Sequence, residues 1–244
     1  MVTRIVNDWR LMLCVLLSLI LSPKLLAGND TVGVGTDAAA ESIIQSLKQR
    51  VIVTGDFKQE KTLSGLAYTL KSSGQFIFWQ KQGLYLKTEK PFFNAFTITQ
   101  NQLITWQTDG AGSIAKEHQG IVQREVNKTL FAILSADIPL IESRFNVRWL
   151  IDGDNWHLTL TPKLAVMQES LKQVVIDGSG SAAKAQLHTV NLMAGNGDYT
   201  RIQFLNQSVV SKAEAISTEQ AMRELSQDQC RWFSMDVTFC GPIH

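Results

Sequence analysis

Charge of either sign is scarce in this sequence: 23 Lys and Arg face 22 Asp and Glu over 244 residues, for a formal net charge of +1. No single-signed field of the kind that draws a chain to nucleic acid is present, so nucleic acid is not expected as a partner. Cysteine is scarcer still. The three cysteines, Cys14, Cys230 and Cys240, form no Cys-x-x-Cys pair, which argues against a redox dithiol. The four histidines, His118, His157, His188 and His244, are scattered, and none has a second ligand at metal-binding spacing, so no metal is expected. Long hydrophobic runs are missing too. The longest, residues 11–21 (LMLCVLLSLIL), falls well short of the ~20 residues that span a bilayer.

What that run resembles is an export signal. Arg4 and Arg10 precede it, and Leu25, Leu26 and Ala27 offer a cleavage site before Gly28, so residues 1–27 read as a secretory signal peptide. Cys14 is enclosed by apolar residues and does not resemble an acylation site. Taking Arg4, Arg10, Lys24 and Asp8 away from 23 basic and 22 acidic residues leaves 20 and 21, a mature net charge of −1. Cys230 and Cys240 alone remain after processing. An exported chain meets an oxidising compartment, where such a pair is expected to close as a disulfide that contributes about 2 to 3 kcal/mol.

After the signal, residues 28–37 are small and polar and read as a flexible leader. Residues 38–49 carry Ile43, Ile44 and Leu47 at helical spacing, with Thr36 or Asp37 as the cap. The pattern then changes to short β-rich runs: 53–60, 74–80, 84–88, 95–99, 103–108, 121–126, 147–152, 156–161, 170–177, 186–194 and 200–207. Residues 152–155 (DGDN) and 195–198 (GNGD) read as hairpin turns. Parallel pairing needs crossover helices, and connections this short leave no room for them, so the sheet is expected to be antiparallel. A helix is predicted over 129–143, interrupted by Pro139, and another over 218–225. The chain thus divides into a main domain over 38–215 and a tail over 216–244.

Strand alternation sorts the apolar residues onto faces. Phe76 and Phe78 oppose Ile77 and Trp79, while Trp156, Leu158 and Leu160 oppose His157, Thr159 and Thr161. Helices over such a face either fill it as ordinary core or cover an apolar cavity, and periodicity does not separate the two. Catalytic motifs are missing. There is no G-x-S-x-G turn, and nothing locates a base for Ser64 or Ser113. Gly33-x-Gly35-x-x-Ala38 and Gly178-x-Gly180-x-x-Ala183 mimic a dinucleotide fingerprint, but residues 186–194 read as strand where that motif requires a helix. Asp152 and Asp154 sit in a turn. No cofactor and no enzymatic activity are expected.

Several segments, taken in order, resemble the LolA-like periplasmic lipoprotein carriers. They are the signal, a short helix, 55–61 (GDFKQEK), 74–79 (GQFIFW), 84–91 (LYLKTEKP), 160–163 (LTPK) and 171–176 (LKQVVI). The resemblance spans residues 38–208. It implies an incomplete antiparallel β-barrel wrapped around about three helices that cover an apolar cavity. It also implies a periplasmic, monomeric carrier that shields the acyl chains of lipoproteins or a related lipid, taking them from an inner-membrane exporter to an outer-membrane acceptor. Strand parity nominates Phe76, Phe78, Leu86, Phe96 and Ile98 as cavity lining. Trp106, Trp149, Trp156, Leu158 and Leu160 complete the set. The family's carriers place an arginine in an early strand to latch the helical lid, and ungapped alignment puts Gln80 there, a donor without charge. The tail from Ser217 matches nothing in the family.

Two other functions share this architecture. A lipid-sensing or partner-binding periplasmic domain would use the same half-barrel without transport. A hydrolase would need a Ser, Asp or Glu paired with a His inside the cavity.

Overall fold

The computed structural model describes residues 35–66, 68–99, 102–114, 131–180, 184–212, 225 and 227–234. Eleven strands form one antiparallel sheet. The first six are β1 (Arg50–Thr62), β2 (Thr69–Trp79), β3 (Gly83–Lys90), β4 (Asn94–Ile98), β5 (Leu103–Trp106) and β6 (Gly112–Ile114). The remainder are β7 (Phe145–Asp152), β8 (Asn155–Pro162), β9 (Leu171–Ser179), β10 (Gln186–Ala194) and β11 (Tyr199–Ser211). Their order across the sheet is β6-β5-β4-β3-β2-β1-β11-β10-β9-β8-β7. The chain therefore meanders outward from β1 to one edge, crosses to the other, and meanders back until β11 pairs with β1. With β6 and β7 at separate edges, the barrel is incomplete.

The helices are α1 (Gly35–Lys48), α2 (Ile138–Arg144), α3 (Ala165–Gln168) and α4 (Gln227–Arg231). Helix α1 touches both β1 and β7. In a flat sheet those strands would lie five spacings, about 24 Å, apart. A helix only ~10–12 Å across reaches both because the sheet curls around it.

Hairpin turns at 152–155 and 195–198 join β7 to β8 and β10 to β11, with Gly153 at φ +58 and Gly197 at φ +89 supplying the left-handed backbone. Strand β10 has the predicted bounds, whereas β1 and β2 run beyond theirs. The mostly polar residues 69–73 pair rung by rung with 58–62, so the backbone ladder extends past the apolar alternation. Strand β6 has three residues and no alternation to read. The strand predicted over 121–126 lies outside the described residues, as does the helix over 218–225 apart from Leu225.

The helix predicted over 129–143 is two pieces. Residues 131–134 are helical, and α2 then begins afresh, with the Asp137 side chain accepting from Leu140 N at 3.3 Å and Pro139 in the first turn. There the missing proline N–H costs nothing, so Pro139 opens α2, while the first piece ends earlier, by Ala136, whose φ of +51 is left-handed.

The two faces of the sheet bury separate clusters. The concave face carries Val53, Phe57, Phe76, Phe78, Leu84, Trp156, Leu158, Leu160, Val174, Ile176 and Phe204, covered by Ile43, Ala132 and Ile141 from the helices. The outer face carries Ile52, Ile77, Trp79, Tyr85, Ala95, Ile104 and Trp106, covered by Leu225, Cys230 and Phe233 of the tail. Glycine makes room for the largest rings. Gly178 is the cross-strand partner of Trp156, and a Cβ there would run into the indole and into Gln186 O. The Gly178-x-Gly180 segment is thus a strand end and turn, and β10, not a helix, follows it. Gly35 opens α1, and the residues before it lie outside the described ones.

Candidate functional site

The concave interior is apolar. Leu47, Ile133 and Leu134 from the helices face Val53, Phe76, Phe78, Leu84, Leu187 and Phe204, with Arg50 and Gln207 at the same cavity. Phe76 and Phe204 meet edge to face at 4.9 Å, and Trp149 and Trp156 lie 6.0 Å apart. The cavity lined by Phe76 and Phe204 among others is about 50 Å³. Pockets that engulf a small molecule run to ~300–1,000 Å³, so an acyl chain fits only where helices give way.

Polar contacts join α1 and α2 to the sheet near their C-terminal ends. Gln80 Nε2 donates to Lys48 O, at the C-terminal end of α1, at 3.1 Å. Ala185 N donates to Ser46 Oγ at 3.0 Å. Lys163 donates from its backbone N to Arg144 O at 2.8 Å and from Nζ to Glu142 O at 2.6 Å, tying α2 to the end of β8, and apolar packing adds to these ties. Trp156 Nε1 and Ser135 Oγ are buried without a hydrogen-bond partner.

The nominated residues separate cleanly. Phe76, Phe78, Trp156, Leu158 and Leu160 are in the concave cluster, and Leu86 and Trp149 pack against it. Phe96 and Ile98 pair with Leu86 and Leu84 and so share their face. Trp106 does not belong with them. It pairs with Ala95, and both lie in the outer cluster under the tail. Parity within one strand does not say which face is concave, and only the register with β4 assigns Trp106.

On the outer face the tail is held by aromatic contacts. Trp232 stacks on Tyr85 at 5.2 Å and meets Trp106 edge-on at 5.1 Å, while Phe233 meets Trp79 at 5.3 Å. Trp106 Nε1 donates to Thr97 Oγ1 at 2.9 Å, and Thr97 Oγ1 in turn donates to the carbonyl of Trp232. Burial, with the Glu89 charge adding to it, pushes the Tyr85 hydroxyl up to about 12. Beside this cluster runs a groove of about 600 Å³ of mixed character, lined by polar Thr54, Asp56, Gln75, Lys87 and Asn206 and by apolar Ile77, Tyr85, Phe93 and Trp232 among others. It is the larger space, but seating an acyl chain there would desolvate these polar groups without giving them partners.

A polar network occupies the outer face of β8 to β11. Asp177 takes hydrogen bonds from Thr189 and from Asn191 Nδ2 (2.9 Å), and lies 2.7 Å from His157 Nδ1. Burial pushes the Asp177 carboxyl up, but the Thr189, His157 and Asn191 hydrogen bonds and the His157 charge outweigh it and hold the group below the usual carboxylate range. Ser179 Oγ and His188 Nε2 are 2.7 Å apart. Both histidine pairs stand on the face opposite the apolar interior, so neither is the cavity dyad that a hydrolase requires. Ser64 N bonds Asp198 and Ser113 Oγ meets Thr105 Oγ1. His118 and His244 lie outside the described residues. Among the described residues no three metal-binding side chains gather.

Exposed apolar side chains are distributed unevenly. Of the ten large ones among the described residues, nine sit on or beside the turns at one end of the sheet. The β1–β2 turn carries Leu66, Tyr68 and Leu70, and the β3–β4 turn carries Phe92 and Phe93. The β8–β9 connection adds Leu164 and Val166, and the β10–β11 hairpin adds Met193 and Tyr199, leaving Leu150 alone elsewhere.

The family model "Outer membrane lipoprotein carrier protein LolA" matches residues 50–216, which takes in every described strand. The chain belongs to the LolA family. Its signature in this member is the open, curled sheet with helices on the concave side. No curated protein sequence matches the chain. Among solved structures, a DUF1329 family protein from Desulfovibrio piger aligns at 9% identity and TM-score 0.41, covering 73% of this chain and 95% of that one. A LolA superfamily protein from Nitrosomonas europaea aligns at 9% identity and TM-score 0.39, covering 71% and 94%. The Pseudomonas aeruginosa MucA/MucB complex structure aligns at 11% identity and TM-score 0.41, covering 72% and 58%. Similarities this low add nothing to the LolA assignment. Among the described residues no helix is long and apolar enough to cross a membrane.

Proposed function

We propose that this chain is a periplasmic carrier that shields the acyl chains of a lipoprotein or related lipid between its sheet and its helices, and moves them from an inner-membrane exporter to an outer-membrane acceptor. The observation that carries the reading is the concave face: an extended apolar wall with apolar helix side chains packed over it. An acyl chain loses ~0.8 kcal/mol for each CH₂ exposed to water, so crossing an aqueous space requires such walls. Family membership supports the same reading. The apolar turns gathered at one end of the sheet suit a place where cargo is handed over.

In this reading residues 1–27 direct export and are removed, the mature chain is a monomer, and Cys230 and Cys240 are joined in the periplasm. Thiol labelling before and after reduction, read by mass spectrometry, checks the pairing. Transport is tested with purified mature protein by displacement of a fluorescent fatty acid and by transfer of labelled lipid between vesicles. A chain that binds no acyl probe and speeds no transfer is not a carrier. The small size of the cavity beside Phe76 and Phe204 favours a second reading, a periplasmic domain that binds a protein partner or senses lipid without moving it. Probe binding without transfer, together with capture of an inner-membrane partner, would select it.

A further inference from the structure

Among the described residues Arg50 has no partner that accounts for its burial. It is the first residue of β1, 9% exposed, and it lines the small interior cavity with Leu47, Phe76, Phe78, Leu84 and Phe204. Strict alternation would send it to the outer face with Ile52. The register with β11 slips between Arg50 and Ile52, so Val51 is an extra residue; Val51 and Ile52 both pack outward and Arg50 turns inward. Among the described residues no carboxylate lies within ion-pair distance of it. The nearby helix end is otherwise engaged: Gln49 N bonds the carbonyls of Gln45 and Ser46, and Gln80 takes that of Lys48. Gln207, the other polar residue at this cavity, donates to Leu187 O at 2.6 Å. Burial pulls the guanidinium down to about 10, still charged at any physiological pH.

A guanidinium has five donors and no neutral form in practice, so a desolvated one is costly until an anion meets it. Its planar fork fits carboxylates and phosphate esters in bidentate geometry. The apolar wall beside it fits a hydrocarbon chain. We propose that Arg50 anchors the head of the interior ligand, pairing with the anionic end, carboxylate or phosphate ester, of a lipid whose chain lies against Phe76, Phe78, Leu84 and Phe204. The inference rests on the lipid-binding reading and narrows it to acidic amphiphiles.

The test compares palmitate with cetyl alcohol, equal in chain and different in head, on the mature wild-type chain and on Arg50→Met and Arg50→Lys. Wild type should bind the acid at least about tenfold more tightly, the size of one charge-assisted pair. Arg50→Met should lose that preference by weakening the acid alone, and Arg50→Lys should retain part of it. Unchanged alcohol affinity in Arg50→Met shows that the fold and the apolar site are intact. Equal affinity of wild type for acid and alcohol overturns the head-anchor role while leaving lipid binding standing, and equal weakening of both ligands in Arg50→Met assigns Arg50 to structure alone. Acetate binding as tightly as palmitate would make this a plain anion site. Failure of wild type to bind either long-chain ligand would remove the lipid reading itself.

Discussion

If α1 is a displaceable cover, weakening its packing should destabilise the empty protein and tighten its grip on lipid at the same time. Ile43 is 2% exposed on α1 and belongs to the concave cluster. Removing buried methyl groups there costs the empty state about 0.5–1.5 kcal/mol for Ile43→Val and about 2–5 for Ile43→Ala. Against a total stability of ~5–15 kcal/mol, the valine variant stays folded and the alanine variant tests the limit. A ligand that lifts α1 forfeits this same packing when it binds. Whatever the mutation has already removed no longer opposes binding, because a ligand shifts an equilibrium only by its differential affinity for the two states. A loss of about 1 kcal/mol should thus tighten binding by up to about fivefold. Ile176, also 2% exposed, lies in the sheet wall, which faces the ligand in both states. Ile176→Val should destabilise to a similar degree without tightening anything. Urea unfolding gives the stabilities and titration with a fluorescent fatty acid gives the affinities. Destabilisation by Ile43→Val with unchanged or weaker binding, or equal tightening by Ile176→Val, would refute the displaceable cover and leave an ordinary packed core.

Gln80→Arg places a cation against the C-terminal carbonyl of α1 that Gln80 now contacts at 3.1 Å, and should slow probe release in stopped-flow exchange about threefold to tenfold. An unchanged rate would show that no latch operates there. Gly178→Ala drives a methyl into the Trp156 indole and should cost about 1–3 kcal/mol or more, measured by urea midpoint. Phe233→Ala strips the ring from Trp79 and should lower stability by about 3 kcal/mol with a shift in tryptophan emission, while probe binding on the opposite face persists. Asp177 has a folded pKa below its unfolded value, so the stability it contributes is present above about pH 4 and fades as pH falls through the folded value. Asp177→Asn should flatten that acid limb in thermal melts from neutral to low pH, and an unaltered limb would assign the acid sensitivity to other carboxylates.

Much of the strand pattern was legible because alternation and turn residues are local signals. Residues 152–155 and 195–198 announce their hairpins through Gly, Asn and Asp, and the run 156–161 displays its two faces directly. The length of β2 was not legible, since Thr69–Ser73 is strand only by pairing with β1. The helix break at Asp137 was half legible: Pro139 marks an interruption, but its place in a first turn depends on Asp137 capping Leu140. For the candidate site, most of the apolar wall could be nominated by parity, yet Trp106 fell on the wrong side because parity is relative within each strand.

The sequence by itself determined an antiparallel meander with apolar faces, and excluded metal clusters and catalytic motifs that depend on spacing along the chain. Tertiary structure decided which face is concave, because that follows from how the sheet curls around α1. It decided that the tail seals the outer face over Trp79, Tyr85 and Trp106, a contact between residues more than a hundred positions apart. It also decided the position of Arg50. One extra residue in β1, visible only against its partner strand, turns a cation that alternation would send outward into the apolar interior.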